Sequence, residues 1–314
     1  MTVAASAWPA LDYAAWRETA ATLQLWTQIV GKIRLSLTPW LNHSWHVPLY
    51  VSARGLGSSP ISAGGELFEL EFDLIAHRLV CRSSTGAEGA VSLEPRTVAD
   101  FYAAVMAMLG ELAIAVAIDT MPSEIADAIR FEDDIVHSAY DADAAHRFWR
   151  ALVQADRVFK LFRTGFLGKA SPVHFFWGSF DLAVTRFSGR RAPLHPGGVP
   201  GLPDRVTREA YSHEVSSAGF WPGGEAFPEA AFYSYAYPAP PGFRDAAVPA
   251  GARFDAGLGE FVLPYAVVRE AADPDALLLA FLDSTYEAAA NAGGWDRDSL
   301  ECARGVPGEP RRLD

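Results

Sequence analysis

One long amphipathic pattern near the N-terminus constrains the fold more than any other feature of this chain. Mostly apolar side chains recur there at alternating steps of three and four residues, which places them on one face of a helix. The members of this stripe are Trp16, Thr19, Leu23, Trp26, Val30, Ile33 and Leu37. Pro39 follows and cannot continue a helix. The sequence therefore predicts a helix from about Tyr13 to Leu37.

The rest of the first half predicts several strands and one capped helix. Thr97 is a good N-cap residue, and Asp100 three positions later favours a helix that continues to about Leu109. Strands are predicted at His46 to Arg54, Leu67 to Asp73, Arg78 to Ser83, Ala90 to Leu93 and Ala113 to Ile118.

The second half repeats this order. A helix is predicted from about Asp143 to Phe166, and the long apolar stretch Val173 to Phe187 is interpreted as one strand or a bulged pair. Asp273 and Pro274 are typical of a helix start, and Gly293 with Gly294 of its end. Two further strands are predicted at Ala231 to Tyr237 and Glu260 to Leu263. The helix that starts at Asp273 and Pro274 is predicted over Asp275 to Asn291.

The recurring order predicts an α+β fold made of two tandem units, each with a helix, antiparallel strands and a second helix. We interpret the units as a pseudo-twofold duplication packed as one compact body, and the alternative is two unrelated α+β halves. The predicted boundaries are a first unit at 1–118, an acidic connection at 119–142, a second unit at 143–295 and a tail at 296–314. The second unit includes a Gly/Pro-rich loop at 188–230, with a short helix near Asp204 to Tyr211.

Composition excludes several classes of protein. Half of the 314 residues are hydrophobic, so a substantial core is available. A formal charge of −12 argues against broad nucleic-acid binding. The segment Met1 to Ala10 lacks the features of a signal peptide, and no apolar run approaches the roughly 20 residues of a membrane span. Two cysteines cannot form a disulfide framework. We expect a cytoplasmic protein without a membrane or nucleic-acid partner and without a cofactor, and the sequence leaves the oligomeric state open.

Acidic residues are absent from two segments of this acidic chain. No Asp or Glu lies between Thr19 and Gly65, and only Asp181 lies between Arg157 and Pro203. Both segments cover the first helix and first strand of their unit. If the units are related by a twofold axis, these segments face each other across a groove with a positive local field.

The densest chemical candidate is the stretch from Ser171 to Arg191. In an extended strand, Trp177, Ser179, Asp181 and Thr185 share one face. This polar stripe predicts a lined pocket, although Asp181 could instead pair with an arginine in a purely architectural role. Arg186 and Arg190, with Arg54 in the matching place of the first unit, could bind a carboxylate or phosphate. The simpler interpretation is that they are solvated surface arginines.

We therefore expect a small-molecule-binding protein, which could also be an enzyme, with an anionic ligand in the groove between the units. The candidate ligand-binding residues are Arg54, Arg186, Arg190, His46, Ser179, Trp177, Trp26 and Trp45. If catalysis occurs, His174 or His213 is the candidate general base and Asp181 its orienting partner.

Two other classes of function stay open. A metal-dependent hydrolase would use His43, His46, His174 and Glu214, but their spacing matches no metal-binding motif and a metal is not favoured. A non-catalytic structural or interaction protein would bury the acid-free segments against each other.

Four blocks of the sequence carry a resemblance to a known family. The chain resembles a bacterial family of unknown function, which implies a free-standing bacterial cytosolic protein and supplies no activity, substrate, cofactor or site residue. The blocks are Leu25 to Arg34, His46 to Tyr50, Ser171 to Arg191 and Ser212 to Gly223.

Overall fold

The computed structural model describes residues 7–225 and 227–311. The segment Met1 to Ala10 and the tail at 296–314 therefore lie partly outside the described residues. The α-helices of the described part are α1 (Tyr13–Leu37), α2 (Val98–Glu111), α3 (Ala142–Thr164), α4 (Asp204–Ala210), α5 (Tyr265–Glu270), α6 (Pro274–Ala292) and α7 (Arg297–Leu300). None of them is long and apolar enough to cross a membrane.

The first half forms one antiparallel sheet. Its strands are β1 (Tyr50–Val51), β2 (Gly55–Gly57), β3 (Ile61–Ala63), β4 (Glu66–Asp73), β5 (Arg78–Ser83) and β6 (Glu88–Ser92). They are ordered β1-β2-β4-β5-β6, and β3 pairs with β4 beside β2.

The second half forms a second antiparallel sheet. Its strands are β7 (His174–Phe176), β8 (Asp181–Arg191), β9 (His213–Trp221), β10 (Ala231–Tyr237), β11 (Arg253–Asp255) and β12 (Glu260–Pro264). The order across the sheet is β11-β12-β10-β9-β8-β7.

The predicted α+β class, with antiparallel strands in each half, is confirmed. Leu49 and Phe175 join the two sheets by exchanging backbone hydrogen bonds of 2.9 Å in both directions. One apolar core runs through both halves. Within it Trp26 of α1 stacks on Phe101 of α2 at 4.4 Å, and Phe148 of α3 lies 5.0 Å from Trp16. The halves therefore pack as one body, and their origin by duplication stays a prediction.

Side-chain caps explain where three of the helices begin. The Asp12 carboxylate accepts the Ala14 N–H at the start of α1, and the Asp273 carboxylate accepts the Ala276 N–H at the start of α6. The Thr97 hydroxyl accepts the Asp100 N–H at 3.0 Å at the start of α2. Each cap satisfies a backbone donor that has no partner inside its helix.

The cap at Thr97 gives a first testable prediction. Replacing Thr97 with Ala removes the side-chain acceptor that caps this helix end, and we expect the free energy of unfolding to fall by about 1 kcal/mol. Urea denaturation measures this loss. Thr97→Ser retains the hydroxyl and should lie close to the wild type; an equal loss in both variants would contradict the capping explanation.

Three sequence-based predictions need correction. Ala113 to Ile118 is not a strand, because its first N–H groups bond to carbonyls of Gly110 and Leu109 at the end of α2. The stretch Val173 to Phe187 is a hairpin, with a tight turn between β7 and β8 that includes Phe180 at a φ of 58°. The strand predicted from His46 is reduced to the two residues of β1.

The Gly/Pro-rich loop predicted at 188–230 also needs correction. It contains the end of β8, the predicted short helix as α4, and the whole of β9. Strand β9 is buried from Val215 to Phe220. Because both of its faces are covered, its sequence lacks the alternation that marks a half-exposed strand.

Candidate functional site

A cavity of about 750 Å³ lies between the two halves of the molecule. Strands β8, β9, β10 and β12 of the second sheet form its floor, and α4 contributes to one side. The facing wall comes from the first half, from the end of α1 and the segment around Trp45, and from the connection at 117–124. The volume falls within the range of about 300–1,000 Å³ typical of small-molecule sites.

Strand β8 presents alternate residues to this cavity. Asp181, Ala183, Thr185 and Phe187 line it, while Leu182 and Val184 face the core. The sequence alternation placed Asp181 and Thr185 on a common face, and both are cavity residues. The Thr185 hydroxyl lies 2.8 Å from the Ser217 hydroxyl of β9, so two strands share one polar strip.

Asp181 is the centre of the polar floor. Its side chain is buried, and its carboxylate accepts hydrogen bonds from the hydroxyls of Ser179 and Tyr233. Burial raises the pKa of Asp181 to about 6, and the two hydroxyl donors oppose part of that rise. Gly219 makes the arrangement possible, because a Cβ there would lie 2.3 Å from the Tyr233 ring.

Two further carboxyl groups approach Asp181 from other elements. Glu124 comes from the connection and lies against Gly178, where a Cβ would be 2.1 Å from its carboxylate oxygen. Burial, followed by the charge of Asp181, raises the pKa of Glu124 to about 7. The same two causes raise the pKa of Glu260 on β12 to about 7, with a smaller contribution from Asp255.

These three carboxyl groups have no cationic partner within the described residues. No Lys, Arg or His nitrogen lies within 4.0 Å of any of them. One oxygen of Glu260 is buried and has no hydrogen-bond partner in the described part of the chain. Asp181 is buried, and Glu124 and Glu260 are half-buried. Carboxylates in such positions normally occur paired, so this cluster lacks a positive partner among the described residues.

Aromatic rings surround the carboxyl cluster. The Tyr211 and Tyr235 hydroxyls lie 2.9 Å apart, and the Trp221 and Tyr233 ring centroids 4.7 Å apart. All four residues line the cavity. Burial raises the pKa values of Tyr233 and Tyr235 well above their ordinary value, so these phenols stay neutral hydrogen-bond donors.

The facing wall carries a buried lysine. Lys32 of α1 lines the cavity with a residue exposure of 5%. Burial lowers the pKa of its ammonium group, and the charge of Asp119 partly opposes this. His43, which also lines the cavity, is neutral: its Nδ1 donates to the Ala210 carbonyl at 3.0 Å and its Nε2 accepts from Lys169 at 2.7 Å.

The three predicted anion-binding arginines do not meet at this cavity. Arg54 pairs with Asp73 at 2.7 Å in the first sheet. Arg186 is buried with its guanidinium 3.6 Å from the centroid of the Phe162 ring. Arg190 pairs with Glu214 at 2.6 Å and also donates to two carbonyls after α6. Each guanidinium is therefore occupied in a different part of the molecule.

The other predicted residues divide into two groups. Trp45, Trp177, Ser179 and Asp181 line the cavity. The remainder, listed here, do not belong to its lining: Trp26, His46, His174, His213 and Glu214. Trp26 is a core residue in the stack with Phe101.

The histidines proposed as bases or metal ligands are separated in the same way. His174 is buried among aromatic rings, and burial, with Arg34 next in effect, lowers its pKa to about 3, so it is neutral. His46 accepts the Leu41 N–H through Nδ1. Throughout the part of the chain that the structure describes, no group of three or more His, Cys, Asp or Glu residues is placed to hold a metal ion. The alternative set His43, His46, His174 and Glu214 is accordingly not assembled.

Sequence reasoning missed most of the cavity floor. The alternation of Tyr233, Tyr235 and Tyr237 along a correctly predicted strand was the available signal, since alternate residues of a strand share a face. Glu260 opens another predicted strand. Glu124 lies in an irregular connection, where no periodicity could have indicated its position.

The chain was compared with protein families, with curated proteins and with solved structures. The model of a family of unknown function, DUF5996, matches residues 8–302. The chain belongs to this family. In this DUF5996 member the matched range includes both sheets and the whole cavity lining. Comparison with curated proteins and with solved structures gives no significant match.

Proposed function

We propose that this protein binds a small molecule through a cationic nitrogen at the carboxyl cluster of the cavity. The observation that carries the proposal is the cluster itself: Asp181 is close enough to raise the pKa values of both Glu124 and Glu260, and none of the three has a cationic partner in the described residues. The proposal retains small-molecule binding between the halves. It replaces the anionic ligand expected from the sequence, because Arg54, Arg186 and Arg190 lie elsewhere.

Electrostatics favour a cation at this position. Desolvation, together with repulsion by Asp181 at Glu124 and Glu260, keeps the carboxyl groups partly protonated in the unliganded protein. A ligand cation relieves the repulsion and permits ionisation, whereas an anion would increase it. Since the described side chains are not arranged as metal ligands, an organic ammonium or guanidinium fits better than a metal ion.

The aromatic lining supports the same ligand class. Rings of Tyr and Trp attract cations through their negative faces, by about 0.5–2 kcal/mol for each favourable contact. Tyr211, Trp221, Tyr233 and Tyr235 surround the carboxyl cluster on the cavity floor. A carboxyl group among aromatic rings is a combination suited to a protonated amine.

Binding of an amine should depend on pH in a defined way. Because Glu124 and Glu260 have pKa values of about 7, a cation that binds their ionised forms must displace protons below that pH. We expect the affinity to rise up to about tenfold per pH unit for each displaced proton between about pH 5 and pH 7, and to level off above about pH 7. Isothermal titration calorimetry with agmatine, cadaverine and choline measures the affinity, and two buffers of different ionisation enthalpy reveal the proton release.

Substitutions test whether the carboxyl cluster binds the amine. Asp181→Asn should weaken amine binding at least tenfold, as expected when one charged partner of an ion pair is lost. Glu111→Gln, at an exposed position at the end of α2, is the matched control. Binding of phosphorylated or carboxylated metabolites that lack an amine, with no response to any amine, would refute the proposal.

The two cysteines agree with the expected cytoplasmic location. Cys81 is buried and Cys302 partly buried, and both are free thiols. Unpaired cysteines are usual in reducing compartments. A cytoplasmic location is therefore part of this proposal.

A further inference from the structure

We infer that Lys32 is a second anchor in the cavity, that it binds an anionic group of the same ligand, and that the ligand is therefore zwitterionic. This inference rests on the proposed function, because the cationic end of the ligand is assigned to the carboxyl cluster. The class includes amino acids, peptide-like molecules and betaines. Three observations about Lys32 carry the argument.

First, Lys32 is held in a fixed position. Gln28, one turn earlier in α1, donates to the Ser123 carbonyl at 2.9 Å and accepts the Ser123 N–H at 2.7 Å. Ser36, one turn later, donates to the Ala117 carbonyl at 2.8 Å. Residues four apart lie on one face of a helix, so Lys32 projects between two points where the connection is fastened to α1.

Second, the ammonium group of Lys32 has no direct partner in the described part of the chain. It makes no hydrogen bond or ion pair there, although its residue exposure is only 5%. The charge of Asp119 acts on it, yet the Asp119 carboxylate does not come within 4.0 Å and instead accepts the Met121 N–H at 3.1 Å. An ammonium group on a side chain this deeply buried is costly without a partner, and a ligand anion would offset that cost.

Third, Lys32 and the carboxyl cluster line the same cavity from different elements. Lys32 belongs to α1 in the first half, and Asp181 and Glu260 belong to the second sheet. Two unsatisfied charges of opposite sign on separate walls are complementary to one molecule that carries both charges. Thr207 of α4 adds to the same lining a buried hydroxyl that has no hydrogen-bond partner among residues 7–225 and 227–311.

Matched pairs of probes test the inference. The members of each pair share the same cationic groups and differ in a carboxylate: arginine with agmatine, lysine with cadaverine, and glycine betaine with tetramethylammonium. Calorimetric titration of the full chain at about pH 7.5, where the cluster is ionised, should give at least tenfold tighter binding for the carboxylate-bearing member of a pair.

Variants of Lys32 assign that difference to one side chain. Lys32→Met keeps a similar volume and should bring the affinity for the carboxylate-bearing member down to that for its partner. Lys32→Arg should retain part of the difference, because it keeps the charge. Lys160→Met, which removes an exposed lysine outside the cavity, is the matched control and should retain all of it.

The outcomes separate this inference from the proposed function. If both members of every pair bind equally to the wild type, the zwitterion is refuted and the cation site stands. If Lys32→Met binds as the wild type does, Lys32 is not the anchor. If no probe of any pair binds, the proposed function fails as well. The wild-type comparison decides the ligand class even if a Lys32 variant does not fold, which circular dichroism would show.

Discussion

Glu124→Gln should stabilise the unliganded protein, and the gain should grow with pH. Below about pH 4.5 the variant and the wild type should unfold with the same free energy, because Glu124 is protonated in both folded and unfolded chains. Above about pH 7 the variant should be more stable by up to about 3 kcal/mol. This is one of the two largest effects that we expect from a single substitution.

The sign follows from proton linkage. Burial raises the pKa of Glu124 from the ordinary glutamate value of 4.5 to about 7 in the folded state. The folded protein therefore holds this proton more tightly than the unfolded chain, and stability is lost as the pH rises through that interval. Glutamine cannot ionise, so the variant avoids the loss. Glu124 also lacks a hydrogen-bonded side-chain partner among the described residues that the substitution would remove.

The effect must be measured as the difference in the free energy of unfolding between Glu124→Gln and the wild type. Burial lowers the pKa of His174 to about 3, which makes the wild type more stable as the pH rises from about 3 to about 6.5, the ordinary histidine value. This contribution opposes that of the carboxyl groups and cancels when Glu124→Gln is compared with the wild type. Denaturant titrations at several pH values provide the comparison, with Glu111→Gln as an exposed control. A gain that is independent of pH would show that Glu124 is not ionising in the folded state.

Stability and binding should change in opposite directions in this variant. If Glu124 is part of the cation site, Glu124→Gln becomes more stable and binds amines less well. Functional sites commonly retain such locally unfavourable groups. A variant that gains stability without losing amine binding would place Glu124 outside the ligand contact.

The sequence predicted the long elements well for a physical reason. Helices α1 and α3 have one apolar face, and α2 and α6 have side-chain caps, so the signal for each lies within its own segment. Strand β10 was predicted at its observed bounds because apolar and aromatic residues fill it. Strand β9 was missed because its partners on both faces come from elsewhere in the chain.

The charge pattern shows a second limit of sequence reasoning. The acid-free segments suggested a positive groove, but distant acids pair with their arginines: Asp73 with Arg54, Glu214 with Arg190 and Asp275 with Arg157. Counting charges along the chain cannot detect such pairs. Apart from Asp181, the acids of the carboxyl cluster, Glu124 and Glu260, come from outside those segments.

Asp181 was the one charged residue that the sequence placed correctly at the cavity. It is the single acid of its segment, and the alternation of residues along its strand can be interpreted from the sequence alone. The groups that determine its chemistry were not accessible in that way. Glu124, Glu260 and Tyr233 approach it through loop placement and sheet order, which depend on tertiary packing.

The second large effect is expected at Gly31, where α1 meets the hairpin of β7 and β8. A Cβ at this position would lie 2.2 Å from the indole nitrogen of Trp177. That nitrogen donates to the Val47 carbonyl at 2.9 Å, so the ring cannot shift without breaking a buried hydrogen bond. We expect Gly31→Ala to lower the free energy of unfolding by about 2–3 kcal/mol, although alanine alone would favour the helix by about 1 kcal/mol.

Gly110 near the end of α2 supplies the control, because it is also helical and nothing lies within 4 Å of its added Cβ. Gly110→Ala should therefore raise the free energy of unfolding by up to about 1 kcal/mol, and equal effects at the two glycines would contradict the packing argument. Since Trp177 also lines the cavity, Gly31→Ala should weaken amine binding as well. A smaller ring in the double variant Gly31→Ala with Trp177→Phe should recover part of the lost stability, which double-mutant analysis of the denaturation curves would measure.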